Sequence, residues 1–407
     1  MDTIRKNSRS IYAAVFGAFF LFGVSTTVIG AVLPRILDDF SWGYRGVGLV
    51  LAAGSIAFFI ASYVAGTVIG RLGARAALTL GFAADTLGLT LFGTVPGLVP
   101  NLILFACVGA GQGFIEVSAN WSVLRMSTEE SAGKTLSLIH GAFAVGAVLG
   151  PVLAGVLIAS GAPWQTAFRI LAALFAVMIA VTFALPFAAL GREAPRAGTG
   201  HRNHSLARKS AYWLGALSLL LYVGAEYGLS NWSAEFFVRI LRASPATAAM
   251  VVSVFWFGLL AGRVGIPLAF PRTRPGMLLG ILSLGMVGSY ALLAVTAFIG
   301  ESALPVAWAA VALAGLSSSS VYPLVIGIVA GAFPDRQGEA TGLASTGGGV
   351  GAFVFPFIMS NVAAALGLAA GFVVYAAVAI AGAICYRALI ASADRERARR
   401  LNKSNAG

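Results

Sequence analysis

"GREAPRAGTGHRNHSLARKS", residues 191–210, is the longest polar stretch in a chain that is otherwise close to hydrocarbon. Of the 407 residues, 58% are hydrophobic and only 10% charged, and the mean hydropathy is +0.89. A soluble domain carries about 25% charged residues, so this composition belongs to a membrane protein and the stretch reads as a linker within it. Working outward, apolar runs divided by charged or Pro/Gly breaks give six spans on each side. They fall at about 11–33, 46–69, 76–95, 102–124, 135–160 and 166–190, then about 211–237, 247–269, 276–299, 306–330, 340–364 and 370–393. Each is near the roughly 20 residues a helix needs to cross a bilayer.

The expected fold is an all-α membrane protein of 12 transmembrane helices in two pseudo-symmetric six-helix bundles, residues 1–190 and 211–393, with a cytoplasmic linker at 191–210 and a tail at 394–407. The first apolar run is too long for a signal-peptide core, and no small-residue cleavage site follows it. The 50 glycines suit helices that approach closely in lipid. Cys107 and Cys385 lie in apolar runs and read as buried thiols rather than a disulfide framework.

With the N-terminus inside, 22 of the 27 Lys and Arg fall on one membrane face and five on the other. The positive-inside rule then sets both termini and the linker in the cytoplasm of a multi-pass cell (inner) membrane protein. Basic residues spread along a membrane face, rather than gathered in a groove with aromatics, exclude nucleic acid as a partner despite the net charge of +12. The expected partners are the lipid bilayer and a small-molecule substrate, and the chain is expected to be a monomer.

The halves echo each other. "GTVIGR" (66–71) and "GLLAGR" (258–263) share a GxxxGR ending, 192 positions apart. "GAGQGFIE" (109–116) aligns with "GLSSSSVY" (315–322), placing Glu116 opposite Tyr322, and Pro151 and Pro356 mark the fifth spans. Parallel halves of six helices point to a transporter with a site near the bilayer midplane. "GTVIGRLGAR" (66–75) resembles the G-x-x-x-D-R-x-G-R-R motif of the major facilitator superfamily, with Gly70 where the acid stands and Arg71 and Arg75 as the matching gate residues.

An ionisable residue deep in a span is a functional candidate, because a charge at the bilayer centre costs about 3 kcal/mol or more. Asp85, Glu116, His140 and Glu226 qualify. Gln112, Glu116 and Asn120, spaced i, i+4 and i+8, share one helix face, and Gly109 and Gly113 leave room beside it. Glu116 is 14 residues from the outer end of its span, about 21 Å deep at 1.5 Å per residue. Tyr222, Glu226, Ser230 and Ser233 form a second polar face, followed by Asn231 and Trp232 at an irregular turn expected around Gly228.

The simpler readings stand beside these. Asp85 reads equally as half of a structural pair, His140 as a hydrogen-bonded neutral imidazole rather than a proton shuttle, and Glu235 as a solvated boundary residue. Trp232, Trp256 and Tyr322 can stack on a sugar ring or simply pack, and Asn361 joins the amides and hydroxyls able to bind a polar solute.

"EVSAN" (116–120) is similar to the E-T-A-A-N of the fucose–proton symporter family, "YVGAE" (222–226) to its seventh-helix Y-V-G-A-Q/E, and residues 321–356 to its tenth and eleventh helices. The resemblance implies sugar recognition and proton handling at Glu116. That family also carries a first-helix acid where this chain has Gly30, with only Thr26 and Thr27 nearby, so a share of ion coupling is expected from Glu226. The function implied is secondary active symport of a sugar or similar solute with a proton or sodium ion, and no cofactor or metal. The same acids would also serve a proton-coupled efflux antiporter for hydrophobic or cationic compounds. A receptor would not need acids in both halves, and an enzyme finds no nucleophile–base pair within the spans.

Overall fold

The computed structural model describes residues 2–192 and 206–404. Every regular element there is helical, as a bilayer requires of a chain that must satisfy its backbone internally. The body of the expected linker, residues 193–205, and the last three residues of the tail lie outside the described residues. The described residues fall into two compact units, Met1–Thr199 with Ser244–Ser253, and Gly200–Ala243 with Val254–Gly407.

The first unit contains α1 (Asp2–Phe40), α2 (Gly43–Leu72), α3 (Ala74–Leu91), α4 (Leu98–Met126), α5 (Glu129–Ala159) and α6 (Gln165–Ala184), then a 3₁₀ turn at Phe187–Leu190. The second chiefly contains α7 (Ser210–Arg239), α8 (Pro245–Ala269), α9 (Pro275–Ile299), α10 (Leu304–Ser318), α11 (Val321–Ala332), α12 (Gln337–Leu366) and α13 (Leu368–Ser404). The helices outrun the apolar spans because backbone hydrogen bonding does not stop where the hydrocarbon does. The tenth span is not one helix: it breaks at Ser319 and Ser320 into α10 and α11. Counted as one, the pair gives 12 spanning segments. Among the described residues, ten segments are long and apolar enough to cross a membrane, by length and composition. The other two are α3, which carries Arg75 and Asp85, and α7, which carries the polar face around Glu226.

One packing scheme is used twice. In the first unit α1 packs on α5, and α3 on α4 and α6. In the second, α7 packs on α12, and α9 on α10 and α13, so first meets fifth and third meets fourth and sixth in each. Glycine sets these contacts. A Cβ on Gly351 of α12 would lie 2.8 Å from the carbonyl carbon and 2.9 Å from the Cα of Leu220 in α7, so the two backbones touch. Large apolar side chains such as Leu268, Phe298 and Phe257 face outward, as they do where lipid is the solvent.

Three expectations are corrected. No irregular turn forms at Gly228: α7 runs unbroken, and the missing Cβ makes room for the ring of Tyr375. Glu235 is not solvated but fully buried, accepting a 3.0 Å hydrogen bond from Arg239 Nε one turn along. Cys385 is buried beside Ser218, whereas Cys107 is only half-buried.

Candidate functional site

The polar stripe of α4 is built into the first unit. Gln112 Nε2 donates to Ser25 Oγ of α1 at 3.1 Å, tying the top of the stripe to the first helix. Glu116, one turn on, is half-buried and makes no hydrogen bond or ion pair with another described residue. Asn120, a further turn on, has a buried Oδ1 without a partner. The room beside Gly109 and Gly113 is taken by α2: a Cβ on Gly109 would meet the backbone of Gly54, and one on Gly113 would lie 2.9 Å from Ser62 Oγ. Small residues thus let α2 close one side of α4 while the stripe keeps its polar groups for something else.

Of the other first-unit candidates, Asp85 stands apart from the stripe. Asp85 of α3 is fully buried, and neither carboxylate oxygen has a hydrogen-bond partner. It packs on Gly111, where a Cβ would lie 2.8 Å from its Oδ2; at about 100° per residue, Gly111 points well away from Gln112, Glu116 and Asn120. His140 is exposed on α5, its ring edge-on to Phe19 at 5.1 Å. Thr26 and Thr27, beside Gly30, spend their hydroxyls on the α1 carbonyls of Phe22 (2.8 Å) and Gly23 (3.1 Å).

In the second unit Tyr222, Glu226, Ser230 and Ser233 are all buried. Their surroundings are set by the break between α10 and α11, which leaves carbonyls without helical partners. Tyr222 donates its hydroxyl to Ser318 O at 2.9 Å, and Arg263 Nε donates to Ser319 O at 3.1 Å. A guanidinium suits the negative end of a helix. Glu226 lies within electrostatic reach of that Arg263 and within hydrogen-bond reach of Tyr222. Tyr290 of α9 and Tyr386 of α13 also lie close enough to Glu226 to interact with it. Glu226 therefore sits in a hydroxyl-rich interior with a compensating positive charge.

Trp256 donates Nε1–H to Ser230 Oγ at 2.9 Å. Asn231 and Trp232 are buried on α7. Half-buried Tyr322, edge-on to Tyr222 at 6.4 Å between ring centres, donates to Ser345 Oγ at 3.1 Å. Asn361 turns its amide onto Phe357 O of its own helix at 2.9 Å. Of the two arginines expected to gate, Arg71 is exposed at the end of α2, while Arg75 donates to Leu185 O at 3.1 Å, beyond the end of α6. Among the described residues no three His, Cys, Asp or Glu side chains cluster as a metal site would need.

Sequence reasoning missed Arg263, Ser25, Tyr290 and Tyr386. Arg263 closes the GxxxGR repeat, and that repetition was the available signal. The tyrosines are spaced too widely along the chain to be joined without the fold.

The chain resembles known proteins over most of its length. It is 26% identical to the glucose/galactose transporter of Brucella abortus over 386 residues, covering 90% of this chain and 92% of that one. The fold matches the crystal structure of a D-xylose–proton symporter with a TM-score of 0.73 at 18% identity, over 93% of this chain and 96% of that one. It also matches that of a nucleoside transporter with a TM-score of 0.75 at 13% identity, over 93% and 98%. The family model described as Major Facilitator Superfamily matches residues 15–313, nearly three quarters of the sequence, and the chain belongs to that superfamily.

Proposed function

We propose that this chain is an ion-coupled symporter of a sugar or a similar small polar solute, working by alternating access in the cytoplasmic membrane with both termini inside. The observation that carries the reading is the α4 stripe: a carboxylate in an apolar span, flanked by Gln112 and Asn120, with no partner for its charge among the described residues. A carboxyl group there can donate to a solute hydroxyl when protonated and needs water or a cation when ionised, so ion and solute binding are coupled. The likeness to a glucose/galactose transporter supports the solute class. The hydroxyl and amide groups of Ser25, Gln112 and Asn120 suit a polyhydroxyl ligand.

With Gly30 where the family carries its first-helix acid and both neighbouring threonines already engaged, α1 places no second acid at that position. Glu226 has Arg263 to balance it. We therefore assign ion exchange chiefly to Glu116, and to Glu226 the holding of the α10–α11 break through Tyr222 and Arg263. The test is counterflow in proteoliposomes with a panel of labelled sugars and organic cations, with and without proton or sodium gradients. Sugar exchange accelerated by one of the gradients supports the proposal and names the ion. Gradient-driven efflux of lipophilic cations with no response to any sugar would assign the protein to drug export instead.

A further inference from the structure

A cleft of about 540 Å³ lies in the first unit where α2 turns into α3 beside the end of α6, away from the α4 stripe. Leu72, Ala76, Leu80 and Phe183 give it apolar walls, and among the described residues Arg75 and Arg192 are the charged groups of the lining, which holds no acid. The sequence builds it rigidly. Gly73 holds φ at +88°, which only glycine adopts readily, so α2 passes into α3 without a loop. A Cβ on Gly73 would lie 3.2 Å from Gly191 O and 3.9 Å from Arg192 Cγ, which seats the two segments against each other. Arg75 is fixed by its bond to Leu185 O and by stacking over Phe183 at 5.6 Å. Arg125 Nε pins Leu190 O at 3.3 Å on the far side of the 3₁₀ turn.

The chemistry of the lining is that of an amphiphile's receptor. Arg75 and Arg192 form no ion pair with a described residue, and Arg75 Nε is buried without a partner. Guanidinium groups match phosphate oxygens in geometry and charge. Leu72 (61% exposed), Leu80 (48%) and Phe183 (60%) continue the cleft onto the apolar exterior. A free anion would leave those walls unused, and a neutral lipid would leave the two guanidiniums unmatched. Basic pockets between transmembrane helices recognise lipid head groups in this way.

We propose that this cleft binds an anionic glycerophospholipid, its phosphate held between Arg75 and Arg192 and an acyl chain laid along Leu72, Leu80 and Phe183. The site is independent of the transported solute. It ties the α2–α3 turn to the end of α6, so an occupied cleft stiffens that edge of the unit.

The test is native mass spectrometry of the full chain in detergent, titrated with phosphatidylglycerol and with phosphatidylcholine of the same acyl composition. Wild type is expected to retain the glycerol lipid preferentially. Arg192→Gln, at an exposed position, is expected to weaken its retention about fivefold. Ala188→Trp fills the cleft while leaving both arginines, and is expected to abolish the preference. Thermal midpoints in lipid-free detergent, measured for both variants, confirm that each is folded. Equal retention of the two lipids by wild type would overturn the proposal, as would undiminished retention by folded Ala188→Trp. Displacement of the bound lipid by inorganic phosphate alone would overturn it too, by showing a site for the free anion.

Discussion

Gly351→Ala and Gly342→Ala add the same methyl group to the same helix, and we expect them to change stability in opposite directions. At Gly342 nothing lies within 4 Å of the new Cβ. The change there replaces a poor helix former with the best one and gains up to about 1 kcal/mol. At Gly351 the Cβ falls 2.8 Å from the carbonyl carbon of Leu220, a backbone atom with no rotamer to yield. Helix α12 must then move off α7, and overpacking of this kind costs about 1–3 kcal/mol. A backbone obstacle puts the cost at the upper end, so after the propensity gain Gly351→Ala is expected to lose about 2 kcal/mol. The two variants are then about 3 kcal/mol apart. Thermal unfolding of purified protein in one detergent, followed by tryptophan fluorescence, reads the order of the midpoints. Because α7 carries Glu226 and Tyr222, Gly351→Ala is also expected to slow solute exchange. Equal midpoints for the two variants would refute the close approach of α7 and α12.

Trp256→Phe removes the donor to Ser230 and is expected to cost about 1 kcal/mol; the double variant with Ser230→Ala is expected to cost less than the sum of the singles, read by thermal unfolding. Arg239→Gln withdraws a partner of the fully buried Glu235, whereas Arg336→Gln disturbs a more exposed pair with Glu339. We expect a lower thermal midpoint for the first and a change within about 1 kcal/mol for the second. Asp85→Asn is expected to leave both exchange and ion-driven accumulation in place, since Asp85 faces the α4 backbone at Gly111 and not the stripe; loss of accumulation would move ion coupling to α3.

The composition and the basic linker suffice to reveal a membrane chain of two six-helix halves, and the GxxxGR repeat reveals that the halves are related. The α4 stripe is legible because a helix of fixed pitch converts spacing into a face, and Gln112, Glu116 and Asn120 share one. Spacing does not say what stands opposite. Glu226 reads from the sequence as part of a polar face, and only the fold shows that Tyr222, Arg263, Tyr290 and Tyr386, drawn from four helices, are its neighbours. The break at Ser319 and Ser320 hides inside an apolar run because serines fit a helix as well as a turn. Gly228 misleads in the other sense: a glycine in a helix signals a bend from sequence alone, but here it makes room for Tyr375. Glu235 sits where a boundary residue would be solvated, and only packing shows it buried beside Arg239.

The proposal that Glu116 carries the coupling ion stands or falls on two transport modes of Glu116→Gln compared in the same proteoliposomes. Glutamine keeps the size and a hydrogen-bond donor for a sugar hydroxyl but exchanges no proton and carries no charge for a cation. Counterflow of the labelled sugar is expected to persist while uphill accumulation driven by a proton or sodium gradient is lost. Accumulation by Glu116→Gln as steep as that of wild type would contradict it.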